Sequence, residues 1–294
     1  MKKILITGAG SYVGVSVENY LEKWPERYQV DTVDMVDGSW KEQSFRGYDA
    51  VFHVAGIVHQ EQTKHDPGQA ELYERVNTRL AVETAQKAKE EGVRQFIFMS
   101  SESVYGLSAP IGRTVMITRD TPLAPEDNYG ISKAKAEEGL QALKAETFKI
   151  AILRPPIIYG KGCKGNYVTL AKMANKLPVF PKVDNKRSML YIENLAEFVR
   201  LIIEDEVEGI FCPQNTEYSN TSDMVSQIAH ANGRGILLVG GVTWALKLLR
   251  PVTAKVDKAF GSLCYDQDLS RYPRDYCVKT LQQSIWETET GNAK

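Results

Sequence analysis

Cysteine and histidine are scarce in this sequence. The four cysteines are scattered along 294 residues without a C-x-x-C pair, and the four histidines show no metal-ligand spacing. This distribution is typical of reduced, mostly structural thiols in a cytoplasmic protein. We therefore predict no bound metal and a cytoplasmic location.

Net charge and long apolar runs are also scarce. The formal charge of −1 provides no overall field that attracts nucleic acid, so no nucleic-acid partner is expected. The apolar run after Lys3 ends after three residues, too short for a signal peptide. Ile236–Leu249 is mostly apolar but too short to span a bilayer. Contact with a membrane surface is one interpretation; Gly240 and Gly241 favour a lobe core instead, and no stable membrane insertion is expected.

The first half of the chain alternates β-rich segments with helical ones. Strands are predicted at Lys3–Thr7, Val30–Asp34, Ala50–Ala55, Arg94–Ser101 and Lys149–Leu153. Helices are predicted from Gly14 to about Trp24, at Gln69–Glu91 and at Tyr129–Glu146. This alternation predicts an α/β fold with a doubly wound parallel sheet.

The regular alternation fades after Arg154. A glycine-rich loop precedes a predicted helix at Asn166–Lys176. Met189–Ile192 and Ile210–Cys212 are predicted strands that return to the sheet, with helix Asn194–Ile203 between them. The remainder, from Pro213, is predicted to form a small α/β lobe.

The turn after the first predicted strand has the residues of a dinucleotide site. Gly8 permits the tight turn, and Gly14 lets the following helix pack closely on the sheet. The N–H groups at the start of that helix suit a pyrophosphate. Asp34, twenty residues after Gly14, can accept both ribose hydroxyls of an adenosine and would repel a 2′-phosphate. The pattern favours NAD over NADP.

Tyr129 and Lys133 lie one turn apart on one face of a predicted helix. A free tyrosine has a pKa of about 10 and is a poor base at neutral pH, but a nearby ammonium lowers that pKa. Lowering it by about three units requires roughly 4 kcal/mol, which Lys133 and an oxidised nicotinamide ring together would supply. Taken alone, this pair is weak evidence, because an exposed helix can carry it by chance.

Five segments, in order, resemble motifs of the extended short-chain dehydrogenase/reductases, specifically the NAD-dependent epimerase/dehydratase family. They are Thr7–Gly14 for T-G-x-x-G-[FY]-[IV]-G, Asp49–Gly56 for D-x-V-x-H-x-A-[AG], Phe98–Gly106 for S-[ST]-x-x-V-Y-G, Tyr129–Lys133 for Y-x-x-x-K and Arg154–Gly160 for R-P-x-x-x-Y-G. The resemblance implies a Rossmann fold with a smaller C-terminal α/β substrate lobe. The implied domains are residues 1–157 with about 188–212 for NAD, and about 158–187 with 213–294 for substrate.

The resemblance also implies roles for individual residues. Ser101 would hydrogen-bond the sugar oxygen that gains or loses a proton, Tyr129 would be the base, and Lys133 would lower its pKa and hold the nicotinamide ribose. The implied NAD contacts are Gly8, Gly10, Ser11, Tyr12, Val13, Gly14, Asp34, Ala55, Gly56, Ser100, Tyr129, Lys133 and Pro156. The implied substrate contacts are Ser101, Glu102, Ser103, Asn166, Phe180 and Arg187.

The chain departs from the family's pattern at three places. Ser11 replaces the middle glycine of the fingerprint, so it either holds the turn farther from the pyrophosphate or donates to it through its hydroxyl. Glu102 and Ser103 stand where the 4,6-dehydratases have Asp-Glu, which argues against dehydration. Ile157 replaces the substrate-holding Asn of the UDP-galactose 4-epimerases. The Arg-Pro-Pro form looks more like bacterial enzymes acting on amino sugars of surface polysaccharides.

The substrate-side residues each have a structural alternative. Asn166 resembles the family's diphosphate-binding Asn, but it would also serve as a helix N-cap. Phe180 lies in a segment resembling one that packs on a uracil ring, or it belongs to a buried turn. Arg187 resembles the phosphate-binding Arg, whose guanidinium bonds two oxygens at once. A later phosphate-binding Arg has no clear match; Arg250, Lys255 and Lys258 are the candidates.

Three functions remain open from the sequence. The leading hypothesis is a 4-epimerase of a UDP-sugar or UDP-N-acetylhexosamine that works through a transient 4-keto intermediate. The second is an NAD(P)H-dependent 4-ketoreductase of a UDP-4-keto-6-deoxy amino sugar. The third, a non-catalytic NAD-binding regulator, is disfavoured by Ser101, Tyr129 and Lys133. The resemblance further implies a homodimer, in which the helices containing Val76–Ala88 and Tyr129–Leu143 form a four-helix bundle.

Overall fold

The computed structural model describes residues 1–58, 67–244 and 255–291. Arg250 and the end of the apolar stretch Ile236–Leu249 lie outside the described residues, as do the side chains of Lys255 and Lys258. Within the described ranges, no helix is long and apolar enough to cross a membrane. The same ranges hold no group of three or more His, Cys, Asp or Glu side chains arranged to bind a metal.

Strands and helices alternate through most of the chain. The strands are β1 (Lys2–Thr7), β2 (Tyr28–Val33), β3 (Ala50–His53), β4 (Gln95–Met99), β5 (Thr114–Ile117), β6 (Lys149–Leu153), β7 (Ile157–Tyr159), β8 (Val179–Pro181), β9 (Met189–Tyr191), β10 (Gly209–Phe211), β11 (Leu237–Val239) and β12 (Ser262–Tyr265). The α-helices are α1 (Tyr12–Leu21), α2 (Pro67–Tyr73), α3 (Leu80–Glu90), α4 (Asn128–Gln141), α5 (Asn166–Lys176), α6 (Ile192–Asp205), α7 (Thr221–Ala231), α8 (Lys255–Phe260) and α9 (Leu281–Thr290).

The central sheet has six parallel strands in the order β10-β6-β4-β3-β1-β2. This confirms the predicted doubly wound parallel sheet. Its middle strands are buried along nearly their whole length, as in Phe96, Ile97 and Phe98 of β4 at 0% exposure. Such strands need apolar side chains on both faces because helices cover the sheet on each side.

Small residues allow α3 to pack closely beneath the sheet. Ala81, Ala85 and Ala88 recur at helical spacing, are fully buried and belong to one apolar cluster with Phe96 and Ile150. The sequence predicts one continuous helix over Gln69–Glu91. The structure instead places a π-helical segment, Glu74–Arg79, between α2 and α3. The wider turn lets the adjacent side chains of Asn77 and Thr78 both face α4, where they bond Ser132.

The chain divides into two compact units. The first comprises Met1–Gly106, Pro122–Pro155 and Leu195–Cys212; the second comprises Leu107–Thr121, Pro156–Asn194 and Pro213–Lys294. The sequence-based boundaries place residues 107–121, 156–157 and about 188–194 in the first unit, whereas in the structure these residues belong to the second unit. Within that unit, β5 pairs with β12 in parallel, and β9 pairs with β7.

One strand prediction was wrong. The predicted strand Met189–Ile192 does not return to the central sheet; β9 pairs instead with β7 in a two-stranded parallel sheet. The other predicted returning strand does join the sheet, where β10 pairs with β6. The difference has a topological reason: a three-residue strand is too short for its pattern to indicate which of two available edges it will join.

A buried histidine ends one of the middle strands of the sheet. His53, the last residue of β3, is 0% exposed, and its Nδ1 lies 2.8 Å from Thr7 Oγ1 on β1. Its ring stacks with Phe96 and Phe98 at centroid distances of 5.6 and 6.0 Å. Burial, together with the Lys133 ammonium, lowers the pKa of His53 to about 3. The imidazole is therefore neutral throughout the physiological range.

This histidine should make stability depend on pH. In the unfolded chain its pKa is about 6.5, so between pH 6.5 and 3 the unfolded state binds a proton that the folded state does not. The free energy of unfolding should therefore fall as pH falls through this window, with a slope from this group of up to about 1.4 kcal/mol per pH unit. His53→Phe should flatten that slope in urea unfolding measured between pH 7 and 5. Equal slopes in the two proteins would contradict this account.

Candidate active site

The turn after β1 fits tightly against the neighbouring strand end. Gly8 has φ +87°, and its backbone N–H donates to the Val33 carbonyl at 2.9 Å. A Cβ on Gly8 would lie 2.9 Å from both the backbone N and Cα of Ala55. The position therefore requires glycine for conformation and for space. Gly10, at φ +75°, has no atom within 4 Å of an added Cβ, so the turn is open on that side.

The first turn of α1 presents backbone N–H groups at the same edge of the sheet. Ser11 is the N-cap, and its Oγ accepts from the Gly14 N–H at 3.2 Å. The hydroxyl oxygen of Ser11 therefore caps the helix. Tyr12 and Val13 follow as the first helical residues, where backbone N–H groups lack an intrahelical acceptor. Such a helix start suits a pyrophosphate.

An exposed carboxylate follows the adjacent strand. Asp34 comes directly after β2, one residue beyond Val33, which pairs with Thr7 of β1. Its Oδ1 accepts from the Val36 N–H at 3.0 Å, which orients the side chain. Asp34 therefore lies beside the glycine turn at the carboxyl edge of the sheet, where a ribose hydroxyl acceptor is expected.

Lys133 is buried between the ends of β3 and β4. It is 4% exposed, and its Nζ donates to the Met99 carbonyl at 2.8 Å and lies 4.6 Å from the Phe98 ring centroid. A Cβ on Gly56 would lie 3.4 Å from this Nζ. Burial lowers the pKa of Lys133 to about 8, although the Glu137 carboxylate raises it in part. The ammonium is thus held at the carboxyl edge of the sheet.

Tyr129 is also buried, and its electrostatics differ from the expectation. Burial raises the pKa of Tyr129 to about 12, while a hydrogen bond with Ser101 lowers it in part. The ring packs edge-on against Tyr73 at a centroid distance of 6.4 Å. The predicted lowering by Lys133 is absent from the protein alone, because removing the phenol from water costs more than its neighbours offset. Further positive charge beside the phenol is needed to make Tyr129 a base at neutral pH.

A glycine brings the tyrosine and the serine together. Ser101 is the N-cap of the 3₁₀ turn Glu102–Tyr105, and its Oγ accepts from the Ser103 N–H at 3.1 Å. A Cβ on Gly130 would lie 2.5 Å from the Ser103 carbonyl oxygen, so only glycine allows α4 to approach this turn. Gly130 follows Tyr129 directly. The close approach therefore explains why Tyr129 reaches the Ser101 hydroxyl.

Two buried polar groups behind the site were not identified from the sequence. The Asn77 side chain is 0% exposed, accepts from the Ile57 N–H at 2.8 Å and donates to Ser132 Oγ at 3.1 Å, linking the loop after β3 to α4. Glu137 is 4% exposed and pairs with Arg154, with a distance of 2.5 Å between Oε2 and Nη2. Glu137 could have been predicted from the sequence to lie near Lys133, since it follows four residues later on the same helix face.

The substrate-side candidates lie in the second unit. Asn166 is the exposed first residue of α5, and Gly165 takes the N-cap position, so the N-cap alternative for Asn166 is not observed. Arg187 is half-buried, and its Nη1 donates to the Gly261 carbonyl at 3.3 Å. Phe180 is 3% exposed and its ring lies 5.8 Å from Phe260, so it is a core contact of this unit. Pro156 is also buried in this unit.

The residues present fit a dinucleotide. The space that a Cβ on Gly8 would fill, the helix start after Ser11, the Asp34 carboxylate and the Lys133 ammonium beside Gly56 all lie in the first unit. Gly8 would let the cofactor approach the backbone closely, and the helix start would bind the pyrophosphate. Asp34 would bind the adenosine ribose, and Lys133 the nicotinamide ribose. Fold and site together define a Rossmann-type dinucleotide-dependent enzyme.

Comparison with known proteins narrows this class to one family. The profile of the NAD dependent epimerase/dehydratase family matches residues 4–211. A Vibrio cholerae protein described as UDP-glucose 4-epimerase is 30% identical over 289 residues, covering 90% of this chain and 87% of that one. The chain therefore belongs to the NAD-dependent epimerase/dehydratase family, an enzyme family that acts on sugar substrates. This confirms the predicted family and the prediction of NAD as the cofactor.

One further relative and one solved structure are similar to much of the chain. An Escherichia coli O157:H7 protein described as N-acetyl-alpha-D-glucosaminyl-diphospho-ditrans,octacis-undecaprenol 4-epimerase is 28% identical, covering 70% of this chain and 64% of that one. A crystal structure of UDP-glucuronic acid 4-epimerase from Bacillus cereus, in complex with NAD, superposes with a TM-score of 0.71 at 17% identity, covering 97% of this chain and 96% of that one. The latter similarity establishes a shared fold.

The fit at Gly8 can be tested against a matched glycine. Gly8→Ala should weaken NAD binding at least about tenfold, because the added Cβ would force the turn away from Ala55 and from the cofactor. Gly47 has φ +84° but no atom within 4 Å of an added Cβ. Gly47→Ala should therefore cost only about 1–2 kcal/mol of backbone strain and leave NAD affinity unchanged. Calorimetric titration with NAD distinguishes the two; equal loss of affinity in both variants would contradict the steric account.

Proposed function

We propose that this protein is an NAD-dependent 4-epimerase of a nucleotide sugar, working through a transient 4-keto intermediate. The observation that carries the proposal is the hydrogen bond between Ser101 and Tyr129, with Lys133 buried one helical turn away and bonded to the Met99 carbonyl at the carboxyl edge of the sheet. The similar Vibrio and Escherichia proteins are both described as 4-epimerases, which supports reaction at sugar C4. A UDP-sugar or UDP-N-acetylhexosamine is the proposed substrate class.

The three residues have separate roles in proton transfer. Tyr129 takes the proton of the C4 hydroxyl and later returns it to the C4 oxygen. The Ser101 hydroxyl, already bonded to Tyr129, holds that sugar oxygen and lowers the pKa of the phenol. Lys133 supplies a buried positive charge one helical turn from Tyr129. The chemistry that NAD supplies when bound is reversible acceptance of the C4 hydride.

Dehydration at C5 and C6 does not suit these residues. The 3₁₀ turn after Ser101 carries Glu102 and Ser103, so the second acid of the 4,6-dehydratase pattern is a serine. A serine hydroxyl does not titrate near neutral pH, and it cannot take the place of a carboxyl group in moving a proton. The turn therefore supports chemistry confined to C4.

The second unit is the proposed substrate lobe. Asn166 is exposed at the start of α5, where its amide and the helix N-terminus would both face a diphosphate. Arg187 lies in the same unit and keeps a planar donor set suited to phosphate oxygens. We assign the first unit to NAD and the second to the nucleotide sugar.

A homodimer in the cytoplasm is the proposed state of the enzyme. Helices α3 and α4 lie side by side, and a Cβ on Gly139 would lie 2.7 Å from Val82 Cγ2. Such a close helix pair suits a four-helix bundle with the same pair of a second copy. The free thiols of Cys163, Cys212, Cys264 and Cys277 suit a reducing compartment. Sedimentation equilibrium should give twice the chain mass.

The reaction can be tested with a panel of sugars. The purified enzyme would be incubated with UDP-glucose, UDP-galactose, their N-acetylhexosamine counterparts and a UDP-4-keto-6-deoxy amino sugar, each with and without NADH. We expect interconversion of C4 epimers without net change in NADH. Oxidation of one NADH per product would instead identify a 4-ketoreductase. NAD binding without turnover of any sugar would favour a regulatory protein.

Replacing the proposed base should separate catalysis from binding. Tyr129→Phe should lower turnover by about 10²- to 10⁴-fold, because the proton acceptor is lost, and should leave NAD affinity nearly unchanged. Tyr73→Phe is a matched control, since it removes the hydroxyl of the ring that packs against Tyr129. The control should keep turnover within a few-fold of the wild type. Full activity of Tyr129→Phe on the true substrate would rule out the proposed mechanism.

A further inference from the structure

Behind Tyr129 and Lys133, one carboxylate connects three segments of the first unit. Helix α4 places Tyr129, Lys133 and Glu137 four residues apart on one face. Glu137 accepts from Arg154 through Nε at 3.1 Å and through Nη2 at 2.5 Å, and it also accepts from the hydroxyl of Ser100. Glu137 thereby joins α4 to the ends of β4 and β6.

The same network binds residues that precede and follow the proposed catalytic serine, Ser101, in the sequence. Ser100, which donates to Glu137, directly precedes Ser101. Arg154 also donates through Nη1 to the Tyr105 hydroxyl at 2.9 Å, and Tyr105 is the last residue of the turn that Ser101 caps. Met99, whose carbonyl accepts from Lys133, directly precedes Ser100. Ser101 thus lies within a segment that is held on both sides by one ion pair.

From this geometry we infer that Glu137 and Arg154 form a positioning pair, which holds Ser101 and Lys133 in place without contacting the substrate. The inference rests on the proposed roles of Ser101 and Lys133. Stability alone does not account for a buried ion pair, because apolar residues of similar volume usually stabilise a core at least as well. Its directional bonds, in contrast, specify one arrangement of the segments that they join.

Glu137 also acts on Lys133 through charge. Burial disfavours the ammonium, and the Glu137 carboxylate opposes that effect, with a resulting pKa for Lys133 of about 8. Among the other titratable groups, His53 on β3 interacts with Lys133, Tyr129 lies one turn before it on α4, and Arg154 is already paired. Lys135 and Glu138, also on α4, are exposed. Without the Glu137 charge, the pKa of Lys133 should fall further, and less of the ammonium would remain at neutral pH.

A second buried ion pair in the first unit provides a matched control. Glu197 on α6 accepts from Arg200 through both Nε and Nη2 at 2.7 Å, and from the Tyr20 hydroxyl at 3.1 Å. Its side chain is 10% exposed, against 5% for Glu137. Glu137→Gln and Glu197→Gln therefore each remove one carboxylate from a buried arginine pair, but only Glu137 lies on the helix face of Tyr129 and Lys133. Arg200 keeps a second partner in Glu204, at 3.1 Å.

The decisive measurement is the titration of Lys133 itself. The lysine side chains would be labelled with ¹³C at Cε in the full chain and followed by NMR from pH 6 to 10, with Lys133→Met used to assign the signal. In Glu137→Gln the midpoint for Lys133 should move to lower pH, whereas in Glu197→Gln it should stay at the wild-type value. An unchanged midpoint in Glu137→Gln would overturn the inference. Because no sugar is present, this result does not depend on whether the proposed reaction is correct.

The pH profile of turnover gives an independent readout. On an active sugar, Glu137→Gln should lower kcat at pH 8 by about tenfold with little change in KM, and the alkaline limb should move to lower pH. Glu197→Gln should leave the shape of the profile unchanged. Similar profiles for both variants, with similar losses of thermal stability, would show that the Glu137–Arg154 pair is only structural.

Chemical rescue tests the role of the arginine side chain directly. A cavity of about 380 Å³ is lined by Glu137 and Arg154 together with Ile131 and Gln141, and it lies next to the space that Arg154→Ala would open. Turnover of Arg154→Ala should rise at least about fivefold on addition of guanidinium chloride at low millimolar concentration, but not with sodium chloride. Arg154→Lys, which keeps the charge but loses the planar fork, should retain the wild-type fold and show intermediate kcat. Absence of rescue together with wild-type kcat in Arg154→Lys would contradict a positioning role.

Discussion

The burial of the Lys133 ammonium is the interaction on which the first unit depends. An ammonium withdrawn from water is unfavourable unless its surroundings provide acceptors and negative charge. Here the Met99 carbonyl accepts from it, the Phe98 ring lies beneath it and Glu137 follows one helical turn later. The two partners on β4, Met99 and Phe98, require α4 to lie directly against the end of that strand. The packing of α4 against the strands therefore also determines whether the Lys133 side chain remains charged.

The arrangement of the site also depends on the close approach of backbone segments at three glycines. Gly8 faces the Ala55 backbone and Gly130 faces the Ser103 carbonyl, each at a distance that a side chain would prevent. Gly56 faces the Asn77 side chain, whose oxygen would lie 2.9 Å from an added Cβ. These three contacts bring the ends of β1, β3 and β4 to one edge of the sheet, together with the start of α4. The result is a site built on rigid elements, whose polar groups are oriented before any ligand binds.

Most of the first unit can be predicted from the sequence. The alternation of apolar strands and helices indicated the parallel sheet. Five ordered motifs indicated the family, because their glycines are required by the backbone conformation and their polar residues by the chemistry. Short strands were less predictable. Three-residue strands such as β7 and β9 carry too little pattern to identify their partners. The apolar residues Leu72, Val76 and Leu80 keep α-helical spacing across the π-helical segment Glu74–Arg79, so the wider turn is not visible in the pattern.

By itself, the sequence determined the parallel α/β sheet, the glycine turn after the first strand and the Tyr-x-x-x-Lys pair, since each is a local pattern with a fixed spacing. Only the tertiary structure decided the electrostatics. The raised pKa of Tyr129 comes mainly from burial, and the connection of Glu137 to Ser100 and Arg154 joins residues up to 54 positions apart. Desolvation and long-range pairing depend on which segments meet in space, and no spacing along the chain specifies that.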